Sequence, residues 1–504
     1  MKNLFIALLL TIVFTYNCIA SNKSKPNIII IYADDLGYAD ISCYGAVGVQ
    51  TPNIDRLAEN GIKFTDAHSP AATCTPSRYS LLTGSYAFRN DAKILPGDAP
   101  LLIQPGTSTI AGMLQKEGYK TAVVGKWHLG LGNGNLNWNE EIKPGPVEVG
   151  FNYSFIIPST GDRVPCVFVE NHNVVGLEKD DPLFVDYNKK IGNLPTGLSN
   201  PEMLKMPADT QHSCTIINGI SRIGYMEGGE KAWWVDERFP DVLTGKAIKF
   251  IEDNRTGPFF LYLAFHDIHV PRSPNPRFVG KSSMGPRGDA IVQLDWCTGQ
   301  IIKKLEELGL EKNTLVIFTS DNGPILNDGY SDQAVEKVGK HKPGGPYRGA
   351  KYSIFEAGTR IPAIVYWPGV VKSSVSDALW SQVDLYSSIA GLVNYKLDEK
   401  EAPDSYNVLD ALLGRSENGR ETMLEEAFSL AVREGKWKYI APVKGTIPAW
   451  MANKGIEPGL SHEDQLYNLS NDVYEKNNLK NKRKDKLEEL KKKLNYILEN
   501  KMTR

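Results

Sequence analysis

Cysteine is scarce. Six residues in a chain of 504 cannot form the dense cross-linking of a disulfide scaffold. An excess of either charge is also missing. Lys and Arg total 57 against 59 Asp and Glu, a net charge of −2, so the basic surplus expected of a nucleic-acid-binding protein is absent. Gly (45) and Pro (30) are too few for collagen-like or low-complexity structure. Long apolar runs are confined to the first residues, where Lys2 precedes a stretch from Leu4 to Tyr16 and Cys18-Ile19-Ala20-Ser21 follows. That stretch falls short of the roughly 20 residues that cross a bilayer. A cationic start, a short apolar run and a small residue before a polar chain read as a secretory signal over 1–20, cleaved after Ala20. Thr15-Tyr16-Asn17 is a poor context for lipid attachment at Cys18, so an anchor there is the weaker alternative. The expectation is an exported protein, periplasmic or extracellular, without a stable membrane span. Disulfides are permitted there, but Cys43, Cys74, Cys166, Cys214 and Cys297 are odd in number, so at least one is unpaired or modified.

What is present is an alternation of apolar runs and helical patterns. Residues 26–33, 120–125, 258–265, 314–320 and 361–367 read as strands buried on both faces, as in a parallel sheet. Helical patterns over Ile54–Asn60 and Ser108–Glu117 stop at Gly61 and Gly118, and a longer one over Asp289–Leu308 stops at Gly309. This predicts a large layered α/β domain over 21–420. Residues 131–240 read as long loops over one rim of the sheet. From 421 the character changes. Short strands at 427–431, 437–441 and 465–469 and a charged helix over 484–502 predict a small α+β subdomain at 421–504 with an antiparallel sheet.

Polar clusters follow the strands, where open α/β sheets bind ligands. Asp34 and Asp35 follow the first strand, and Asp321 and Asn322 follow the strand ending at Ser320. Three carboxylates and an amide oxygen are hard donors suited to Ca²⁺ or Mg²⁺. Cys74, in Cys-Thr-Pro-Ser-Arg, sits where Pro76 and Ser77 suit a helix start. Two readings stay open on this ground alone: a buried structural cysteine, or a thiolate whose pKa the helix N-terminus lowers.

Cys74-x-Pro76-x-Arg78 resembles the modification signature of the formylglycine-dependent (type I) sulfatases, among them bacterial exo-acting carbohydrate sulfatases. Gly125-Lys126-Trp127-His128-Leu129-Gly130 is similar to that family's second signature. Asp34-Asp35, His269-Val270-Pro271, Asp321-Asn322-Gly323 and Gly349-Ala350-Lys351 follow the family's order across residues 25–470. The resemblance implies an alkaline-phosphatase-like α/β/α sandwich with a small C-terminal subdomain. It implies that a maturation enzyme oxidises Cys74 to Cα-formylglycine, whose hydrated form attacks sulfur with one hydroxyl and expels sulfate by loss of the other's proton. By the same resemblance, Ca²⁺, or Mg²⁺ in its place, sits between Asp34, Asp35, Asp321, Asn322 and the residue at 74. Arg78 and Lys126 stabilise the nucleophile, and Lys126 and Lys351 neutralise sulfate oxygens. His128 takes the proton released on sulfate elimination, and His269 protonates the leaving oxygen. Thr160 aligns loosely with a family serine near the diol. His266 reads as supporting His269 or facing substrate.

Asp162, Arg163, Glu170, Asn171 and His172 give the rim a polar character suited to hydroxyl-rich ligands. His172, with Arg348 beside Lys351, resembles sulfatases acting on galactose-configured sugars, which makes a sulfated glycan the expected partner. The preferred position is O3 of galactose or N-acetylgalactosamine, with O6 and O4 as alternatives. The rival functions are a phosphodiesterase or phosphonate hydrolase of the same superfamily and a non-catalytic glycan-binding relative.

Overall fold

The computed structural model describes residues 25–134 and 136–504, so the signal-like segment and Cys18 lie outside the described residues. A ten-stranded sheet forms the centre. In spatial order its strands are Ser374–Ser376, Ile62–Phe64, Ala363–Tyr366, Thr314–Ser320, Asn27–Ala33, Phe259–Ala264, Lys120–Lys126, Tyr153–Ile157, Val169–Glu170 and Asn173–Val174. The five strands from Thr314–Ser320 to Tyr153–Ile157 run parallel. Every residue of Asn27–Ala33 is buried, which is why Ile28, Ile29, Ile30 and Ile31 stand in one unbroken run. Each isoleucine withdrawn from water contributes about 1.5–3 kcal/mol.

Helices cover both faces. Pro52–Glu59, Phe239–Asp253 and Gly285–Glu307 pack together in one layer. Cys74–Thr83, Ile110–Lys116 and Leu385–Leu392 pack together in another. The arrangement is the α/β/α sandwich of alkaline-phosphatase-like enzymes. Register then sets where the chemistry falls. Ala33 pairs with Ser320, Tyr32 with Ala264, and Ala264 with Gly125, so four neighbouring parallel strands end at one level. Gly125 has φ 109°, and a Cβ there would lie 1.9 Å from the Ala264 carbonyl oxygen, so only glycine lets these two strands meet where they end.

Some elements differ from their expected form. The Ala363–Tyr366 strand is antiparallel to its neighbours, because its approach from the helical turn Glu356–Thr359 reverses its direction. The long helix begins at Gly285, four residues early, with Pro286 in its first turn. The region expected to be loops supplies Tyr153–Ile157 and the hairpin beyond it to the sheet. Residues 427–431 are not one strand. They contain the turn between Thr422–Glu426 and Leu430–Glu434, with Phe428 in the left-handed region.

Those two strands join Trp437–Ile440 and Gln465–Asn468 in a four-stranded antiparallel sheet, and helix Lys484–Glu499 lies against it. A buried ionic network fastens this sheet to the main one. Arg433 bonds Asp66 at 2.6 Å and approaches Glu356 at 3.4 Å, while Lys438 lies 2.9 Å from Glu425 and 3.1 Å from Glu356. Breaking such a pair strands its partner in a dry interior, at a cost of about 3–5 kcal/mol. Arg433→Met is therefore expected to lower stability by about 3–5 kcal/mol in urea unfolding. A loss below about 1 kcal/mol, typical of an exposed pair, would show that the network does not hold the two sheets together.

Candidate active site

Asp34 and Asp35 leave the first strand, Asp35 with φ 62°, a left-handed conformation that costs a non-glycine residue energy and clusters at functional sites. The same level of the sheet supplies Asp321 and Asn322, Lys126 at the end of its strand, and His128 two residues on with φ 51°. Helix Cys74–Thr83 brings Cys74 over them with its first residue, and all ten of its residues are buried. Donor atoms of Asp34, Asp35, Cys74 and Asp321 lie within 4.8 Å of one another. The expected catalytic and metal-holding residues thus converge.

Cations interleave with these carboxylates. Lys126 Nζ donates to Asp34 at 2.6 Å. Arg78 donates from Nε and Nη2 to Asp321 at 3.1 and 2.7 Å, and from Nη1 to the Lys126 carbonyl. Lys351 Nζ bridges Asp35 at 2.9 Å and Asp328 at 3.0 Å. Burial opposes the charge on Lys351, yet Asp328 and Asp35 hold its pKa well above the ordinary lysine value. Burial, only partly relieved by Lys126 and Lys351, pushes Asp34 and Asp35 above the usual carboxylate range. Burial raises Asp321 too, but Arg78 and Lys126 outweigh it and leave it low.

The residues present fit a divalent cation. The Asn322 amide donates to Asp35 and to the Gly323 carbonyl, which leaves its Oδ1 buried and unpartnered beside the carboxylates. An orphaned acceptor among hard oxygens is what a Ca²⁺ or Mg²⁺ ligand set provides. An anionic substrate meeting Asp34, Asp35 and Asp321 would be repelled without such a charge.

Burial and the nearby Asp321 push the Cys74 thiol well above the ordinary value, against the pull of Lys126 and Lys351. Although Cys74 opens its helix, its Sγ lies 3.8 Å from a buried Asp34 oxygen. His128 donates from Nε2 to the Leu95 carbonyl at 3.1 Å, and its Nδ1 is buried without a partner. Burial, then Arg163 and Lys126, hold it neutral far below the usual histidine range, so Nδ1 keeps a free lone pair. His269 donates from Nδ1 to the Val270 carbonyl at 2.6 Å and holds Nε2 3.8 Å from Asp35. It too is kept neutral by burial and by Lys351.

A cavity of about 330 Å³ opens over this cluster, with Cys74, His128, His269 and Lys351 in its wall. Arg78 and Lys126 lie beneath it, fully buried, so they act on the floor and do not face the opening. His266 and Thr160 are buried behind the wall. His266 Nε2 accepts the Gly161 N–H at 2.9 Å, and Thr160 bonds Asp162 and Arg163. Both therefore position the 158–163 loop, whose Asp162 and Arg163 do face the cavity. Burial would raise Asp162, but Arg163 and a hydrogen bond from His212 keep it well below the carboxylate range.

Two expected substrate contacts are elsewhere. His172 belongs to the edge hairpin of the sheet, where Glu148 engages its Nε2 at 2.9 Å. Arg348 pairs with Glu457, donates to the Glu475 carbonyl and lies 4.1 Å over the Phe355 ring. Neither lines the cavity. Asp328, Gln211, His212, Tyr352, Trp450 and Lys454 line it instead. No local pattern marks them, since they reach one wall from three distant segments.

Buried carboxylates fit to hold a cation, interleaved with lysine and arginine beneath a polar cavity, are suited to hydrolysis of an anionic ester. Comparison with known proteins makes it specific. The sulfatase family model matches residues 26–395. The chain is 50% identical to an N-acetylgalactosamine-6-O-sulfatase of Bacteroides thetaiotaomicron, over 93% of this chain and 92% of that protein. It is 31% identical to human arylsulfatase A, over 90% of this chain and 83% of that one. A solved structure from work on the metabolism of multiple glycosaminoglycans by Bacteroides thetaiotaomicron superposes with a TM-score of 0.92 at 49% identity, covering 95% of this chain and all of that one. The chain belongs to the sulfatase family and is a sulfuric ester hydrolase.

Chelator-treated protein is expected to gain thermal stability on addition of Ca²⁺. Asn322→Leu should weaken Ca²⁺ binding in calorimetry by about tenfold or more. Unchanged affinity would remove Oδ1 from the ligand set.

Proposed function

We propose that this chain removes 6-O-sulfate from N-acetylgalactosamine or a closely similar galactose-configured sugar at the end of a glycan, using formylglycine made from Cys74. One observation carries the reading: the near-full-length, 50% identity to a protein named for that reaction. It favours O6 over the O3 position expected from His172 and Arg348, and both of those residues lie off the cavity. The polar wall of Asp162, Arg163, Gln211, His212, Asp328 and Lys454 supports a hydroxyl-rich ligand.

The sulfate enters toward residue 74. Arg78 and Lys126, fixed from below by Asp321 and Asp34, stabilise negative charge developing on the nucleophilic oxygen. The attacking hydroxyl loses its proton to solvent, and its oxygen bonds sulfur as the bond from sulfur to the sugar oxygen breaks. Lys351, held charged, faces the departing sulfate oxygens. His269, with Nδ1 held by the Val270 carbonyl, takes a proton from solvent at Nε2 once the anionic ester offsets Lys351, and delivers it to the leaving sugar oxygen. His128 Nδ1 then takes the proton of the remaining hydroxyl, the carbonyl re-forms and sulfate departs. A divalent cation held by Asp34, Asp35, Asp321 and Asn322, Ca²⁺ ahead of Mg²⁺, supplies charge neutralisation at the sulfate.

In this reading residues 1–20 export the protein to the periplasm or beyond, 21–420 form the catalytic domain and 421–504 its C-terminal subdomain. The partners are a sulfated glycan and a separate formylglycine-generating enzyme. Among the described residues no helix is long and apolar enough to cross a membrane.

Turnover of monosulfated sugars tests the reading. N-acetylgalactosamine 6-sulfate should exceed the 4-sulfate and galactose 3-sulfate by about 100-fold or more in kcat/KM. A preference for the 3-sulfate would overturn it. Cys74→Ala should fold and bind product while losing turnover by at least about 10³-fold, and near-normal turnover would dismiss residue 74 as nucleophile.

A further inference from the structure

A second, larger cavity of about 530 Å³ adjoins the reacting one, and the sulfatase chemistry leaves it unused. Ile94 stands in the wall of both. The partition continues as aromatic rings. Trp450 faces the first cavity, Phe428 faces the second, and their centroids are 6.2 Å apart. Tyr352, also on the first cavity, meets Trp450 edge-on at 5.0 Å. Thr73 and Pro76, which flank the nucleophile, form part of the second cavity's floor.

Phe428 occupies the turn between the first two strands of the C-terminal sheet, with φ 55° and 46% of its surface exposed. A large apolar ring held in water by a left-handed backbone is costly to keep without a use. Lys93, whose side chain is 78% exposed, pairs with Asp91 at 2.9 Å, and both line this cavity with Phe428. An aromatic face beside apolar residues, with an exposed ion pair in the lining, suits a pyranose. The C–H face of the ring stacks on the aromatic and its polar edge stays wet.

We propose that this second cavity is a subsite for the sugar that follows the sulfated one in the glycan chain, with Phe428 as its stacking surface. The inference rests on the carbohydrate reading above. Continuity chooses the occupant: the two cavities share Ile94 and meet at the Trp450–Phe428 contact, so the sugar next to one seated in the first cavity is the group within reach of the second.

The test compares N-acetylgalactosamine 6-sulfate with a disaccharide carrying that residue at its non-reducing end, in the matured wild-type enzyme and in Phe428→Ala and Lys93→Ala. The wild type is expected to favour the disaccharide by about five- to tenfold in kcat/KM. Phe428→Ala should erase that advantage and leave the monosaccharide within about twofold, at unchanged thermal stability. Lys93→Ala should reduce the advantage if the following sugar is a uronic acid and leave it intact if that sugar is neutral, each on top of the Phe428 effect. Equal wild-type rates on both substrates, or an advantage that survives Phe428→Ala, would overturn the subsite. So would an equal fall on both substrates, which would assign Phe428 to the first cavity. A wild type inactive on every sulfated sugar would instead overturn the carbohydrate reading.

Discussion

Asp34, Asp35 and Asp321 are buried together with no exposed surface, and the rest of the site answers that constraint. Isolated buried carboxylates neutralise or disrupt a fold. Here Lys126, Arg78 and Lys351 each take one or two of them, and the unpartnered Asn322 oxygen marks where a cation would complete the balance. Burial, reinforced by the neighbouring cations, holds the pKa of His128 and His269 low, burial and Asp321 push up the Cys74 thiol, and Asp328 and Asp35 hold Lys351 charged against burial. In the proposed mechanism the nucleophile is not a thiolate, so a raised thiol pKa is no handicap there, and an unmodified cysteine in this position would be a poor catalyst.

The sheet makes this concentration of charge tolerable. Four parallel strands end at one level because Gly125 admits the Ala264 carbonyl and because Ala33 lies opposite Ser320. Strand ends hold polar side chains more firmly than loops do, so the floor of the site is rigid. Its walls come from elsewhere: Asp162 and Arg163 from the rim loop, Asp328 from the segment after Asn322, and Trp450 and Lys454 from beyond the third strand of the C-terminal sheet. Lys454 reaches Asp328 at 3.3 Å, which ties that wall to Lys351.

This division explains what was legible in the sequence. The five buried strands show as apolar runs because both faces are covered, and Asp34, Asp35, Asp321 and Asn322 follow such runs directly and could be found by position, whereas Lys126 and His128 stood out through the resemblance of their motif. The antiparallel sense of Ala363–Tyr366 was not legible, since a fully buried strand carries no mark of direction. Tyr153–Ile157 is too short and too deep in a loop-rich region to stand out. His172 and Arg348 misled for a common reason. Polar residues near a motif in sequence read as neighbours in space, yet His172 is held by Glu148 and Arg348 by Glu457, neither of which lines the cavity. Gln211, His212 and Lys454 were invisible because their proximity is created only by folding.

The account turns on the chemical identity of one side chain. Peptide mass spectrometry of catalytically active, natively matured protein addresses it directly. The peptide spanning Cys74 should be lighter by about 18 Da than its sequence predicts, the exchange of a thiol-bearing carbon for an aldehyde, in proportion to specific activity. Full activity in protein that carries only unmodified cysteine at 74 would contradict the account.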